Sequence, residues 1–334
     1  MAVSGAGSTP RRSPADPKPV VFIHDAAIDD FVATLLLVAM PSVDLKGIVI
    51  ANADCIPGPG MDAASKLQQF LGRTDIPLAL SSARGWNPFP WPYRGDCVTF
   101  GEIPSLKPFR STVPTPPPDG DELLERLLEE AIACATPLTV LLTTGFTPLT
   151  DVLSGRPDLI EGVGQVVWMG GAIDVPGNLD PGTVNPVVAN KHAEWNVFWD
   201  PFAVDFALRN LGRIKVFPLD ISDPAKVSEG LLAQLEEQAP SCTFSQLAYE
   251  AYSLVTGEPF YRLWDVAAAC WLDRPDLYAA PQATPLEVEL WGFEQGWLRR
   301  SMAKSGPESI QDLYLSFQDL DGFYAYIAAQ LARS

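Results

Sequence analysis

The stretch VVFIHDAAIDDFVATLLLVAM, residues 20–40, decides how the rest of the chain is read. Residues 20–24 are a continuous β-branched and aromatic run, the composition of a buried strand. An acidic turn follows at once, and residues 28–40 are an apolar helical stretch. Working outward, the pattern predicts strands over 45–50 and 76–80 with a helix over 61–71 between them. It then predicts a helix over 122–135, strands over 138–143 and 163–169, a helix over 201–209 and a strand over 214–217. This alternation is the signature of βαβ units. The expected fold class is α/β: an open, mostly parallel Rossmann-like sheet with flanking helices, and a more helical C-terminal part over 226–273. A late strand over 286–291 and a closing helix over 322–333 complete it.

The 334 residues leave room for one large domain or two ordinary ones. No repeat period or composition break divides the chain. Residues 20–334 therefore read as a single domain with insertions at 83–118 and 173–192, and residues 1–19, rich in Pro and Ser, as a disordered tail. Loops that long inside a compact domain are usually functional. Hydrophobic residues make up 47%, which excludes wholesale disorder. Lys and Arg number 23 against 41 Asp and Glu, a net charge of −18. That balance argues against nucleic acid and anionic membranes, both of which select basic surfaces. No apolar run approaches the ~20 residues that span a bilayer. Five scattered cysteines with no CxxC pair suggest a reducing compartment, and a cytoplasmic location is the expectation.

The turn after the first run carries Asp25, Asp29 and Asp30. Asp25 ends the predicted strand, where ligands of open parallel sheets bind. Asp29 and Asp30 fall in the first turn of the predicted helix. Capping accounts for one of the three, or two. Three carboxylates in six residues repel one another unless a cation or shared protons offset the charge. Further oxygen donors at strand or helix ends are Asn52, Asp54, Thr144, Asp220 and Asp265. Each alone is more often a cap or turn residue; together they are more informative. All-oxygen ligation selects Ca²⁺ or Mg²⁺. With only His24 and His192 in the chain, a His-rich metal site is not expected.

The spacing Asp25…Asp29-Asp30, then GIVIANADC, WMGGAIDVPGN, AEWNVFWDP and LWDVAA, in that order, resembles the inosine–uridine-preferring nucleoside hydrolase superfamily. Among its branches the chain looks most like the purine-specific, inosine–adenosine–guanosine-preferring enzymes, which share the His before the first site Asp, an NPFP-type aromatic loop and a late Trp-Asp pair. The resemblance implies Ca²⁺-dependent cleavage of purine ribonucleosides to ribose and free base. It implies Asp25, Asp30, Asp265 and the Thr144 carbonyl as metal ligands, with Asp25 also the general base. Asp29, Asp54, Glu194, Asn196 and Asn178 would bind the sugar, with Trp195 beside them; Asn190 is an alternative to Asn178. Trp264 stands where many relatives have His, so it would stack on the base rather than protonate it. Tyr93 or Trp91 would form the opposite face. Tyr261 and Arg262 lie where the family has a mobile active-site segment. A nucleoside is the implied partner, and a homodimer is compatible with the family.

Several residues depart from the family pattern. Ile23 replaces an Asp, Ala26-Ala27 replaces a Pro-Gly or Gly-Asn pair, and two residues are inserted in the turn Thr144-Gly145-Phe146-Thr147. The rival readings are the same fold acting on pyrimidine or other ribosides, and a catalytically silent nucleoside or ribose binder. A haloacid-dehalogenase-type phosphatase would want an Asp-x-Asp pair, and Ala27 stands where its second acid belongs.

Overall fold

A computed structural model describes residues 17–89, 93–179, 185, 187, 189–301 and 310–333. In chain order the first half comprises β1 (Lys18–His24), α1 (Ile28–Ala39), β2 (Val43–Ile50), α2 (Pro57–Phe70), β3 (Leu78–Leu80), α3 (Asp96–Phe100), α4 (Gly120–Ala133), β4 (Leu138–Leu142), α5 (Thr147–Gly155) and β5 (Val163–Met169). The second half comprises α6 (Trp195–Trp199), α7 (Pro201–Asn210), β6 (Lys215–Phe217), α8 (Leu219–Ser222), α9 (Glu229–Gln238), α10 (Thr243–Ser253), α11 (Trp264–Trp271), β7 (Gln282–Val288), β8 (Leu298–Arg300), β9 (Ile310–Leu313) and α12 (Leu320–Leu331).

The strands form one sheet in the order β3-β2-β1-β4-β5-β6-β9-β7-β8. Every pairing from β3 to β9 is parallel; β7 pairs antiparallel with both β9 and β8. The chain runs outward from β1 through β2 to β3, then returns to place β4 on the other side of β1. This reversal leaves a crevice beyond the carboxyl ends of β1 and β4. β1 is buried on both faces because its side chains alternate between two cores. Val20 and Phe22 pack with α1, α2, α10 and α11, whereas Val21 and Ile23 pack with α4, α5 and α7. Each such fully buried side chain contributes about 1.5–3 kcal/mol, so the central strand is the firmest platform for a site.

Three expectations change. β1 begins at Lys18, so Lys18 and Pro19 are strand and not tail; residues 1–16 lie outside the described residues. The late strand runs over Gln282–Val288 rather than 286–291, paired from Gln282 to Pro285 with β9. The segment 83–118 is not wholly irregular, since it contains α3. No helix among the described residues is long and apolar enough to cross a membrane. All five cysteines are free.

Candidate active site

The turn after β1 is held from both sides. The His24 carbonyl accepts the Ala51 N–H at 2.7 Å, and the Ile23 carbonyl accepts the Thr143 N–H at 3.0 Å. The chain then reverses through Ala26, whose φ is +69°. That left-handed conformation costs an L-residue roughly 1–2 kcal/mol. It lets α1 begin at Ile28, so that Asp29 and Asp30 occupy its first turn. Asp30 reaches back to accept the Ala27 N–H at 2.9 Å, and its other oxygen accepts the Thr143 hydroxyl at 2.6 Å. Asp29 accepts the Tyr261 hydroxyl at 3.2 Å and the Asp265 N–H at 3.1 Å, tying α1 to the start of α11.

These groups form the floor of a cavity of about 440 Å³. Asp25, Asp29, Asp54 and Asp265 line it, each at the carboxyl end of a strand or the start of a helix. The facing wall comes from the segment after β5. Gly171 turns there with φ +89° and aims its N–H at Glu194, which also accepts the N–H groups of Asn196 and Val197 as the N-cap of α6. The Asn196 amide donates to the carbonyls of Thr143 and Met169. Asn178 accepts the Trp195 N–H at 3.1 Å. Phe89, Tyr93, Phe260, Tyr261 and Trp264 surround the mouth. Phe89 stacks on Trp195 with ring centroids 4.6 Å apart, and Tyr261 lies 5.0 Å from Trp264.

The electrostatics of the floor are one-sided. Asp25, Asp29, Asp30 and Asp265 are all buried. Burial, then the charges of Asp30 and Asp54, pushes the Asp25 carboxyl well above its ordinary range. Burial, then Asp30, pushes Asp29 up to about 7. Asp265 is raised by burial and then by Asp29 and Asp30. Asp54 is raised by burial and neighbouring acids, and Arg94 only partly offsets them. Asp30 is the exception. Burial acts to raise it, but the His24 imidazole and the hydrogen bonds it accepts outweigh burial and hold it low. His24, with Nδ1 3.6 Å from Asp30, is the one ion-pair partner of these acids among the described residues. Burial also lifts Glu194 to about 7, opposed by the backbone N–H groups it accepts.

This donor set suits a hard divalent cation. It is all oxygen, it is buried, and its members repel one another. Asp54 adds a buried Oδ1 without a hydrogen-bond partner. The fit is one of donor chemistry, since no three acidic, imidazole or thiol side chains among the described residues close into a ready-made cage.

Most of the residues singled out from sequence meet here: Asp25, Asp29, Asp54, Tyr93, Asn178, Glu194, Trp195, Asn196, Trp264 and Asp265 all line the cavity. Three do not. The Thr144 carbonyl accepts the Trp168 indole N–H at 3.1 Å, and it is Thr143 that enters the wall. Asp30 accepts from Ala27 and Thr143, and its carboxyl meets that of Asp265, which does line the cavity. Trp91 lies outside the described residues. Of the two candidate asparagines, Asn178 lines the cavity, and Asn190 bonds His192, Ala193 and Gln295. Asp220 caps the loop at Ile173 and Asp174, and Asn52 accepts from Arg94. The sequence pattern passed over Thr143, Phe89, Asp96, Asp223 and Phe260. Asp96 had a signal available, since it directly follows the aromatic loop that supplies Tyr93.

The chain matches the model of the inosine-uridine preferring nucleoside hydrolase family over residues 20–309. It is similar to the solved inosine-uridine preferring nucleoside hydrolase of Bacillus anthracis, at 27% identity and a TM-score of 0.82, covering 95% of this chain and 100% of that one. An uncharacterized protein of Schizosaccharomyces pombe is 26% identical over 94% of this chain and 99% of its own length. A pyrimidine-specific ribonucleoside hydrolase of Shewanella woodyi is 23% identical over 80% and 82%. On this match, and with the acids, amides and aromatics of one crevice in place, the chain belongs to the inosine-uridine preferring nucleoside hydrolase family.

Proposed function

We propose that the chain hydrolyses the N-glycosidic bond of purine ribonucleosides, giving ribose and free base, with Ca²⁺ as its resident cation. The observation that carries this reading is the make-up of this cavity: clustered carboxylates from the ends of β1 and β2 and the start of α11, the amides and Glu194 around α6, and aromatic rings from the segments before α3 and α11. That make-up matches a substrate with a diol, a hydroxymethyl group and a flat base.

Asp25, Asp30 and Asp265 would hold the cation. Bound there, a divalent cation would supply a hard Lewis acid for vicinal ribose hydroxyls and would lower the pKa of a water. Asp25, at the carboxyl end of β1 and in the cavity lining, would accept the proton of the attacking water as general base. Asp29 and Asp54 accept from ribose hydroxyls. Asn178, Glu194 and Asn196, each fixed by backbone hydrogen bonds, orient the rest of the sugar, which turns remote binding into alignment at the anomeric carbon. Trp264 and Tyr93 offer ring faces to the base. A cationic, protonated base stacks better than a neutral one, so Trp264 favours the transition state over the ground state.

A pyrimidine substrate is the second reading, supported by the name of the Shewanella woodyi relative. A panel of nucleosides assayed for ribose release, with and without EGTA, separates the readings. Inosine, adenosine or guanosine should be cleaved faster than uridine or cytidine, and EGTA should abolish the activity until Ca²⁺ is restored. Faster uridine cleavage would transfer the assignment to pyrimidines. Binding without cleavage would make the chain a nucleoside binder.

A further inference from the structure

A departing purine carries away the electron pair of the broken bond and leaves readily only if it is protonated. The described wall of this cavity contains no histidine: His24 is buried beside Asp30, and His192 stacks on Trp297. Two carboxyl groups of the lining, Asp96 and Asp223, have no task in the reading above; Asp223 has the Arg262 and Lys226 charges acting to keep it ionised, and Asp96 has no such cation. Asp96 opens α3 and lines the cavity with Tyr93 and Phe260, whose rings lie 5.2 Å apart. Its backbone N–H donates to the Tyr93 carbonyl at 2.9 Å, which fixes it on the aromatic side of the pocket. The side chain is half-buried. Burial and the neighbouring Glu258 raise it to about 6, with no hydrogen bond opposing them.

The groups around it favour the protonated form. Glu258, from the segment before α11, accepts the Tyr93 hydroxyl at 3.2 Å. Asp54, from the turn after β2, and the Tyr261 phenol both sense the charge of Asp96. Arg94, two residues away, is the nearest cation in sequence, but its guanidinium is engaged by the carbonyls of Ala53 and Phe89 and by Asn52.

We propose that Asp96 is the proton donor to the departing nucleobase, a role that rests on the ribonucleoside-hydrolase reading. As the C1′–N9 bond breaks, its electron pair passes into the purine ring, and the Asp96 carboxyl proton moves to a ring nitrogen. The attacking water forms the C1′–O bond and gives its proton to Asp25. Return of that proton through solvent to Asp96 closes the cycle, so nucleoside and water become ribose and neutral base with no other reactant.

The test compares inosine with p-nitrophenyl β-D-ribofuranoside, whose leaving group departs without a proton, in the wild type, Asp96→Asn and Asp96→Glu. In Asp96→Asn, kcat on inosine should fall about 100-fold or more, and the ratio of kcat on the nitrophenyl riboside to kcat on inosine should rise by a similar factor. The wild-type inosine profile should decline with rising pH along a limb that Asp96→Asn lacks, and Asp96→Glu should restore part of the inosine rate. Equal losses on both substrates, or none on inosine, would overturn the Asp96 assignment while leaving the hydrolase reading intact. A wild type that cleaves neither substrate would remove both.

Discussion

Ala26 shows how much the site asks of single residues. Its φ of +69° is a conformation that glycine adopts freely and alanine does not. Its methyl is also confined, since a Cβ placed on Gly60 would lie 2.7 Å from it. Ala26→Gly relieves strain and loses a small buried methyl, so its stability should stay within about 1 kcal/mol of the wild type. Ala26→Val adds branching at a left-handed position with no space and should cost about 2 kcal/mol or more, read by urea denaturation. At Asp25 the prediction is chemical. Asp25→Asn should retain the fold by circular dichroism and lose roughly 10²–10⁴ in kcat; turnover near the wild-type rate would free Asp25 of the base role. Trp264→Ala should lower kcat on inosine more than it raises KM, because stacking on a cationic base strengthens in the transition state. The sequence made these three positions readable because each sits beside a strand or helix end with an unusual residue type. It could not reveal that Thr143, and not Thr144, faces the cavity, because neighbouring residues at a strand end point opposite ways and the two-residue insertion hides the register.

At the scale of elements, the site depends on α1 and α11 being locked together. Tyr261 supplies the lock: its hydroxyl donates to the Asp29 carboxylate and accepts the Asp29 N–H at 3.3 Å. Tyr261→Phe leaves both buried groups short of a partner and should cost about 1–3 kcal/mol of stability, measured by denaturant unfolding. An unchanged midpoint would show that the hydroxyl is dispensable. On the opposite wall, a Cβ at Gly177 would fall 2.0 Å from the Ala193 carbonyl oxygen. Gly177→Ala must therefore displace the backbone that carries Asn178 and Glu194, and should raise KM for nucleoside more than it lowers Tm. Central elements were legible because β1, β4 and β5 are apolar runs between turn signals. The edges were not. β9 (IQDL) and β8 (LRR) are three or four residues long, with charges on their exposed faces, and β7 contains Pro285. The start of α2 at Pro57 was missed for a similar reason: PGPG reads as a breaker, although Pro is well suited to the first helical turn.

At the scale of the molecule, the concentration of buried acid links stability to pH. Asp29 and Glu194, at about 7 each, keep protons in the folded state that the unfolded chain releases near its ordinary values of 3.8 and 4.5. A raised acid favours folding fully below the unfolded value, and that contribution is lost as pH climbs through the folded value. The metal-free protein should therefore melt at a higher temperature at pH 5 than at pH 8. Ca²⁺ should raise Tm more at pH 8 than at pH 5, because ligation requires ionised carboxylates. The convergence of Asp25, Asp54 and Asp265 from three distant stretches was legible only through their shared placement at strand and helix ends; the cavity wall contributed by Phe89, Asp96 and Phe260 comes from irregular segments, where spacing carries no direction. The central claim is that Asp25, Asp30 and Asp265 serve one cation, and calorimetric titration of metal-free protein with Ca²⁺ tests it most directly. The account predicts one equivalent bound by the wild type, with binding lost in both Asp25→Asn and Asp265→Asn. Undiminished binding in both variants, or none in the wild type, would contradict it.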